Sequence, residues 1–113
     1  MKNNKIKENI QQLTEIMQSS EESMVVGIRR CINEKNIKLN DLVIVEWFPD
    51  DMDFEFGILV TNDCEVYQFG YTYSEKTKDE GSFSEWENIT KNWKDTPHSS
   101  SIAVAVKQNE KST

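Results

Sequence analysis

Phe54-Glu55-Phe56-Gly57-Ile58-Leu59-Val60-Thr61-Asn62-Asp63-Cys64-Glu65-Val66-Tyr67-Gln68-Phe69-Gly70-Tyr71 is the stretch on which the fold turns. Two β-branched and aromatic runs, 54–61 and 64–73, flank Asn62-Asp63, residue types that tolerate the positive φ of a two-residue hairpin turn. With Thr61 opposite Cys64, Ile58 faces Tyr67, Phe56 faces Phe69 and Phe54 faces Tyr71. These pairs share one face, as aromatic cross-strand pairing requires. Glu55, Gly57, Leu59, Val66, Gln68 and Gly70 fall on the other face, smaller and more polar.

Upstream, Leu42-Val43-Ile44-Val45-Glu46-Trp47-Phe48 reads as a further strand, stopped by Pro49-Asp50-Asp51. The first forty residues have a different period. Ile6, Ile10, Leu13 and Met17 form the apolar stripe of an amphipathic helix, and Met24, Ile28 and Cys31 resume it after the polar gap at 19–23. Helices over 3–18 and 20–35 are expected, the second started by a capping box of Ser19 and Glu22. One long helix bent near Ser20 is the alternative. The stripe is expected to pack on the chain's own sheet.

Downstream, Ser84-Glu85-Trp86-Glu87 has capping-box spacing, and Trp86, Ile89 and Trp93 recur at 3 and 4. A short helix over 84–94 follows, ended by Pro97. Ile102-Ala103-Val104-Ala105-Val106 alternates large and small groups, as a last strand would, and 108–113 reads as a frayed tail. The expectation is one α+β domain over 1–113. A helical segment covers 1–40, and an antiparallel sheet of about four strands with one short helix covers 41–107.

At 113 residues with 36% hydrophobic and 29% charged side chains, the chain has the makeup of a small globular domain rather than a disordered segment. No apolar run reaches the roughly 18 residues of a membrane span. Residues 1–8 are polar and lysine-rich with no apolar run behind them, so no signal peptide is expected. Cys31 and Cys64 read as reduced core thiols of a cytoplasmic protein. The overall charge of −7 hides an asymmetry. Residues 41–90 hold thirteen acids against Lys76 and Lys78, a net of −11, and the flanks carry +4. All eleven aromatics lie between Trp47 and Trp93. Direct contact with a nucleic-acid backbone is therefore not expected.

No catalytic pattern emerges. His98 neighbours Ser99, Ser100 and Ser101, but adjacent loop residues do not build a serine-hydrolase geometry, and a solvated loop is the plainer reading. Cys64 has no electropositive neighbour to lower its pKa. Zinc needs about four Cys or His ligands, and only three candidates exist. On the EF-hand template started at Asp51, the obligatory glycine is Phe56 and the final glutamate is Asn62. Glycine-rich phosphate loops are absent. Neither an enzyme nor a cofactor is expected.

The acids concentrate in three places: Glu46, Asp50, Asp51, Asp53 and Glu55; Glu75, Asp79 and Glu80; Glu85 and Glu87. Helix starts and edge protection account for the last pair. They account poorly for the turn around Pro49-Asp50-Asp51-Met52-Asp53, where like charges repel. A positive partner docking there would relieve that repulsion and gain association rate. Trp47 or Met52 would supply an apolar anchor.

The run from Glu55 to Phe69 and the later Phe83-Ser84-Glu85-Trp86, behind an N-terminal helical segment, resemble small acidic bacterial immunity proteins of contact-dependent and other polymorphic toxin systems. The likeness covers residues 40–95. It implies a cytoplasmic protein that binds and blocks the toxic domain of a cognate secreted toxin, often a basic nuclease; the sequence leaves the oligomeric state open, with a monomer favoured slightly. It carries over no functional residues. The alternative readings are an acidic nucleic-acid mimic that inhibits a DNA- or RNA-binding protein, and a small enzyme.

Overall fold

The structure, a computed structural model, describes residues 2–51 and 53–112; for 2, 3, 49–51 and 109–112 it describes the backbone alone. Two helices come first, α1 (Lys2–Ser19) and α2 (Ser23–Glu34), as the apolar stripe requires. The capping box of Ser19 and Glu22 does not form. Ser19 Oγ instead donates to the Glu15 carbonyl, and Ser20 Oγ accepts the Glu22 N–H at 3.2 Å. Four strands follow, β1 (Leu42–Asp51), β2 (Phe54–Thr61), β3 (Val66–Thr72) and β4 (Ser82–Asn88), and α3 (Ser99–Ser112) closes the order. The strands lie side by side in chain order, all antiparallel. This is the α+β class with the four-stranded antiparallel sheet that the alternation implied.

The hairpin of β2 and β3 differs from expectation by one residue. The loop has three residues: Thr61 N–H donates to the Glu65 carbonyl at 2.9 Å and Cys64 N–H to the Thr61 carbonyl at 3.0 Å. Cys64 takes the left-handed position at φ 66, which glycine usually fills in such loops. Leu59 therefore faces Tyr67, Gly57 faces Phe69 and Glu55 faces Tyr71. Phe56 does not oppose Phe69, and the one-residue slip moves every side chain of β2 to the other face. Packing explains the outcome. The Phe69 ring lies over Gly57, where a Cβ would come within 2.2 Å of it, and Phe54 covers Gly70 in the same way.

The sheet separates two cores. On one face Leu42, Ile44, Leu59, Phe69 and Tyr71 pack under α2 through Val25, Ile28, Cys31 and Ile32. On the other, Val45, Ile58, Val60 and Val66 pack under α3 through Ile102 and Ala105. Helix α1 serves both, with Met17 in the first core and Ile10 in the second. It lies along the edge of β1, where Thr14 Oγ1 accepts the outward Ile44 N–H at 2.9 Å. Pro49 was expected to stop β1, yet the strand continues to Asp51. An edge strand tolerates a residue without an N–H, and register shifts at Ile44/Glu46 and Pro49/Asp51 absorb the irregularity.

The C-terminal third exchanges two elements relative to the sequence reading. Residues 82–88 are strand β4, not the start of a helix over 84–94, and only a single turn at Trp93–Asp95 is helical there. A shift in the β3–β4 register between Gly70 and Tyr71 puts Phe83 and Trp86 on one face three residues apart, a spacing that imitates a helix. Ser84 caps nothing, its hydroxyl meeting Thr72 Oγ1 and the Gly70 carbonyl. Residues 102–106 are not a strand but the middle of α3, which also runs through most of the expected frayed tail. Ile102 and Ala105, three apart, are both fully buried. Covering the Val45–Ile58–Val60–Val66 face outweighs the β-propensity of Ile and Val.

Phe69→Ala should cost about 3–5 kcal/mol, the loss typical of a fully buried ring. Phe56→Ala, whose ring is only half-buried, should cost distinctly less. Urea unfolding of both variants measures the difference, and equal losses would return Phe56 to the packed interior.

Candidate functional site

An antiparallel meander puts the β1–β2 turn and the β3–β4 loop at the same end of the sheet. The two are tied directly, because Tyr73 N–H donates to the Asp53 carbonyl at 3.0 Å. Asp53 has φ 68, and its Oδ1 is shielded from solvent with no hydrogen-bond partner. Asp50 and Asp51 end β1 at this same place, but their side chains, like the whole of Met52, lie outside the described residues. Glu75, Asp79 and Glu80 are exposed on the loop opposite. Glu75 pairs with Lys78 at 3.4 Å, an exposed contact of small energetic weight.

The loop that carries these acids is held through its backbone, by a phenol and a guanidinium. The Tyr71 hydroxyl, buried beneath α2, donates to the Lys78 carbonyl at 2.6 Å and accepts the Gly81 N–H at 3.0 Å. It fits there because position 27 is glycine; a Cβ would come within 1.8 Å of the Tyr71 oxygen. Arg30 adds bonds from Nη2 to the Asp79 and Gly81 carbonyls, at 3.3 and 2.5 Å. Burial pushes the Tyr71 phenol and the Cys31 thiol upward from their ordinary values. Cys31 and Cys64 are both free thiols, the second only half-buried in its turn.

The twelve candidate residues do not form one surface. Asp53, Glu75, Asp79 and Glu80 share the end just described, with Asp50 and Asp51 placed there by the backbone. Glu55 is not presented to solvent. It is 6% exposed, accepting Trp47 Nε1–H at 3.2 Å and the Tyr73 hydroxyl at 3.3 Å. Burial raises its carboxyl above the ordinary range although both hydrogen bonds pull the other way. Tyr73 in turn is pushed up to about 12, first by burial and then by the Glu55 charge. Trp47 is half-buried and committed to Glu55, so it is no free anchor. Phe48 is the aromatic that stands out, 39% exposed and packed on Phe56 with ring centres 5.2 Å apart.

Glu46 lies on the opposite face from Glu55, 3.8 Å from His98 Nδ1. His98 is not in a solvated loop; its ring packs on Phe56 at 5.7 Å and Phe48 at 6.3 Å. Glu46 also lines a cleft of about 250 Å³ with Asn9, Gln12, Trp47 and Ser101. Among the described residues, no serine hydroxyl hydrogen-bonds to the His98 ring. Glu85 and Glu87 stand apart, exposed on outer strand β4 opposite Gly70 and Gln68.

One acid at the sheet end was missed in the sequence. Glu22, at the start of α2, lines a groove of about 420 Å³ with Met24, Tyr73 and Lys78. Its position three residues after Ser19 gave it a capping role that the fold does not use. Among the described residues no helix is long and apolar enough to cross a membrane. No protein-family model, curated protein or solved structure matches this chain.

Two outcomes follow from this geometry. Tyr71→Phe leaves the Lys78 carbonyl and Gly81 N–H without their partner and should cost about 1–3 kcal/mol, with faster amide exchange over 78–81. A loss indistinguishable from zero would mean the loop is held by Arg30 alone. For Glu55, the folded state binds the proton more tightly than the unfolded chain, so stability falls as pH rises from the ordinary Glu value of 4.5 through the raised one. Glu55→Gln keeps an acceptor oxygen for the Trp47 Nε1–H, offers its amide N–H to the Tyr73 hydroxyl, which then accepts, and removes the titration. Above that window the variant should match or exceed the parent in thermal stability, with the difference shrinking below pH 4.5. A variant that loses most stability at neutral pH would assign the carboxylate a stabilising ionic role.

Proposed function

We propose that this chain is an immunity protein that binds and neutralises a cognate toxin domain through complementary charge, the toxin presenting a basic surface to the acidic end of the sheet. The observation that carries the reading is the meeting of the β1–β2 turn and the β3–β4 loop at one end, tied by the Tyr73–Asp53 bond. Acids from both segments gather there, joined by Glu22 from α2. A field of one sign on converging loops speeds encounter and sets orientation, and affinity then comes from apolar groups beside it. Phe48, exposed on the strand that leads into the turn, fills that role in place of Trp47. Acids gathered at an end, rather than strung along a face at phosphate-like intervals, favour docking over mimicry of a nucleic acid.

The test uses the toxin domain encoded in the adjoining gene, with association measured at low and high salt. Neutralising Asp53, Glu75, Asp79 and Glu80 together (Asp→Asn, Glu→Gln) should slow association several-fold at low salt and flatten its salt dependence, with stability held or slightly raised. Phe48→Ala should instead speed dissociation. Co-expression should protect cells from the toxin, less well with either variant. An unchanged low-salt rate would remove this end from the interface, and absence of protection by the parent chain would remove the toxin reading.

A further inference from the structure

The two edges of the sheet are treated differently. The β1 edge is covered by α1, with Thr14 taking up the outward Ile44 N–H. The β4 edge meets α2 at its start, where the Phe83 backbone bonds the Cys31 sulfur, but has no such cover from Trp86 to Asn88. The Ile89 N–H donates to the Val66 carbonyl at 2.8 Å, which makes position 89 an inward one. Antiparallel alternation then turns the backbone groups of Glu87 and Glu85 towards β3, and those of Trp86 and Asn88 away from it. Among the described residues nothing hydrogen-bonds to the outward N–H and C=O of Trp86 and Asn88.

The side chains beside this ladder are ordered in a complementary way. Glu85 and Glu87 are exposed on the face that α3 leaves open, two residues apart. On the other face Phe83 and Trp86 are half-buried and stacked, with centroids 5.3 Å apart, and Lys35 Nζ lies 5.4 Å from the centre of the Trp86 ring.

We propose that β4 is a docking edge for an extended basic segment of a protein partner, which adds to the sheet as a fifth strand. Its backbone takes up the free groups of Trp86 and Asn88, alternate Lys or Arg side chains lie beside Glu85 and Glu87, and the intervening apolar side chains extend the Phe83–Trp86 stack. Charge selects this occupant over a second copy of the chain. Edge-to-edge pairing of two β4 strands would set these glutamates against their own copies, and like charges across a strand pair are destabilising. The inference depends neither on the acidic end nor on the partner's being a toxin.

The probe is a capped peptide of alternating Lys and Val, added to the full chain at low salt, with alternating Glu and Val as the control. At saturation the Trp86 and Asn88 amides should exchange about tenfold slower, and amides of α1 should not change. The Glu–Val peptide should give no protection, and E85K with E87K should reverse the preference. If that double reversal does not fold, E85Q with E87Q should abolish the discrimination. Unchanged exchange with the Lys–Val peptide, or equal protection by both peptides, would overturn the proposal. So would protection that grows with protein concentration alone, which assigns the edge to a second copy.

Discussion

The Phe69 ring lying across Gly57 is the contact on which the arrangement of the sheet depends. It permits one register of β2 on β3, and that register decides which residues face α2 and which face α3. Leu59, Phe69 and Tyr71 go to one side, Ile58, Val60 and Val66 to the other. Tyr71 then arrives beneath Gly27, close enough for its hydroxyl to hold both ends of the 78–81 turn. The positions of Glu75, Asp79 and Glu80 thus trace back, through one phenol and two glycines, to a strand register set in the middle of the sheet.

A sheet with buried faces still exposes two edges, and the chain resolves only one of them internally. Helix α1 contributes to both cores and runs along β1, so the strand that contains Pro49 and two register shifts is the protected one. Strand β4 is regular from Glu85 to Asn88 and keeps its outward backbone groups. The charges on that strand are of the kind that discourages self-association while leaving the edge open to a segment of opposite sign.

Much of this was legible in residue patterns, and the misreadings have physical sources. The stripe at Ile6, Ile10, Leu13 and Met17 gave α1 its extent, because helical periodicity survives in any packing context. The hairpin was legible as well, but its register was not. Asn62-Asp63 satisfies a two-residue turn, and nothing local says that Cys64 will take the left-handed conformation that makes the loop three. Phe83 and Trp86 imitate a helix because a register irregularity brings residues three apart onto one face. Residues 102–106 imitate a strand because only the tertiary need to cover Val45 and Ile58 makes Ala105 a buried helical contact. The two misassignments offset each other in the count of elements, so the fold class was readable although the order was not. Among the site candidates, the grouping of the two acidic segments followed from strand alternation. The burial of Glu55 followed only from the true register, and Glu22 joined through the placement of α2.

The way the acidic end is held bears on what it is for. Salt bridges within the loop would neutralise its carboxylates, yet the described structure contains only the exposed Glu75–Lys78 pair there. Arg30, the cation best placed to neutralise them, directs Nη1 to Glu34 and Nη2 to the Asp79 and Gly81 carbonyls. The Asp79 and Glu80 carboxylates are left in solvent while the backbone around them is fixed by the Tyr71 hydroxyl and by Arg30, which bonds carbonyls rather than carboxylates. Asp53 adds a shielded oxygen without a hydrogen-bond partner. The exposed carboxylates of Glu75, Asp79 and Glu80 and the Asp53 oxygen leave negative potential at this end that Lys78 and Arg30 only partly offset. Self-repulsion of this kind opposes folding, and the sequence nonetheless places it on two segments that the topology brings together. A positive surface arriving from outside is the relief that this arrangement has available, which is the physical basis of the docking proposed for that end.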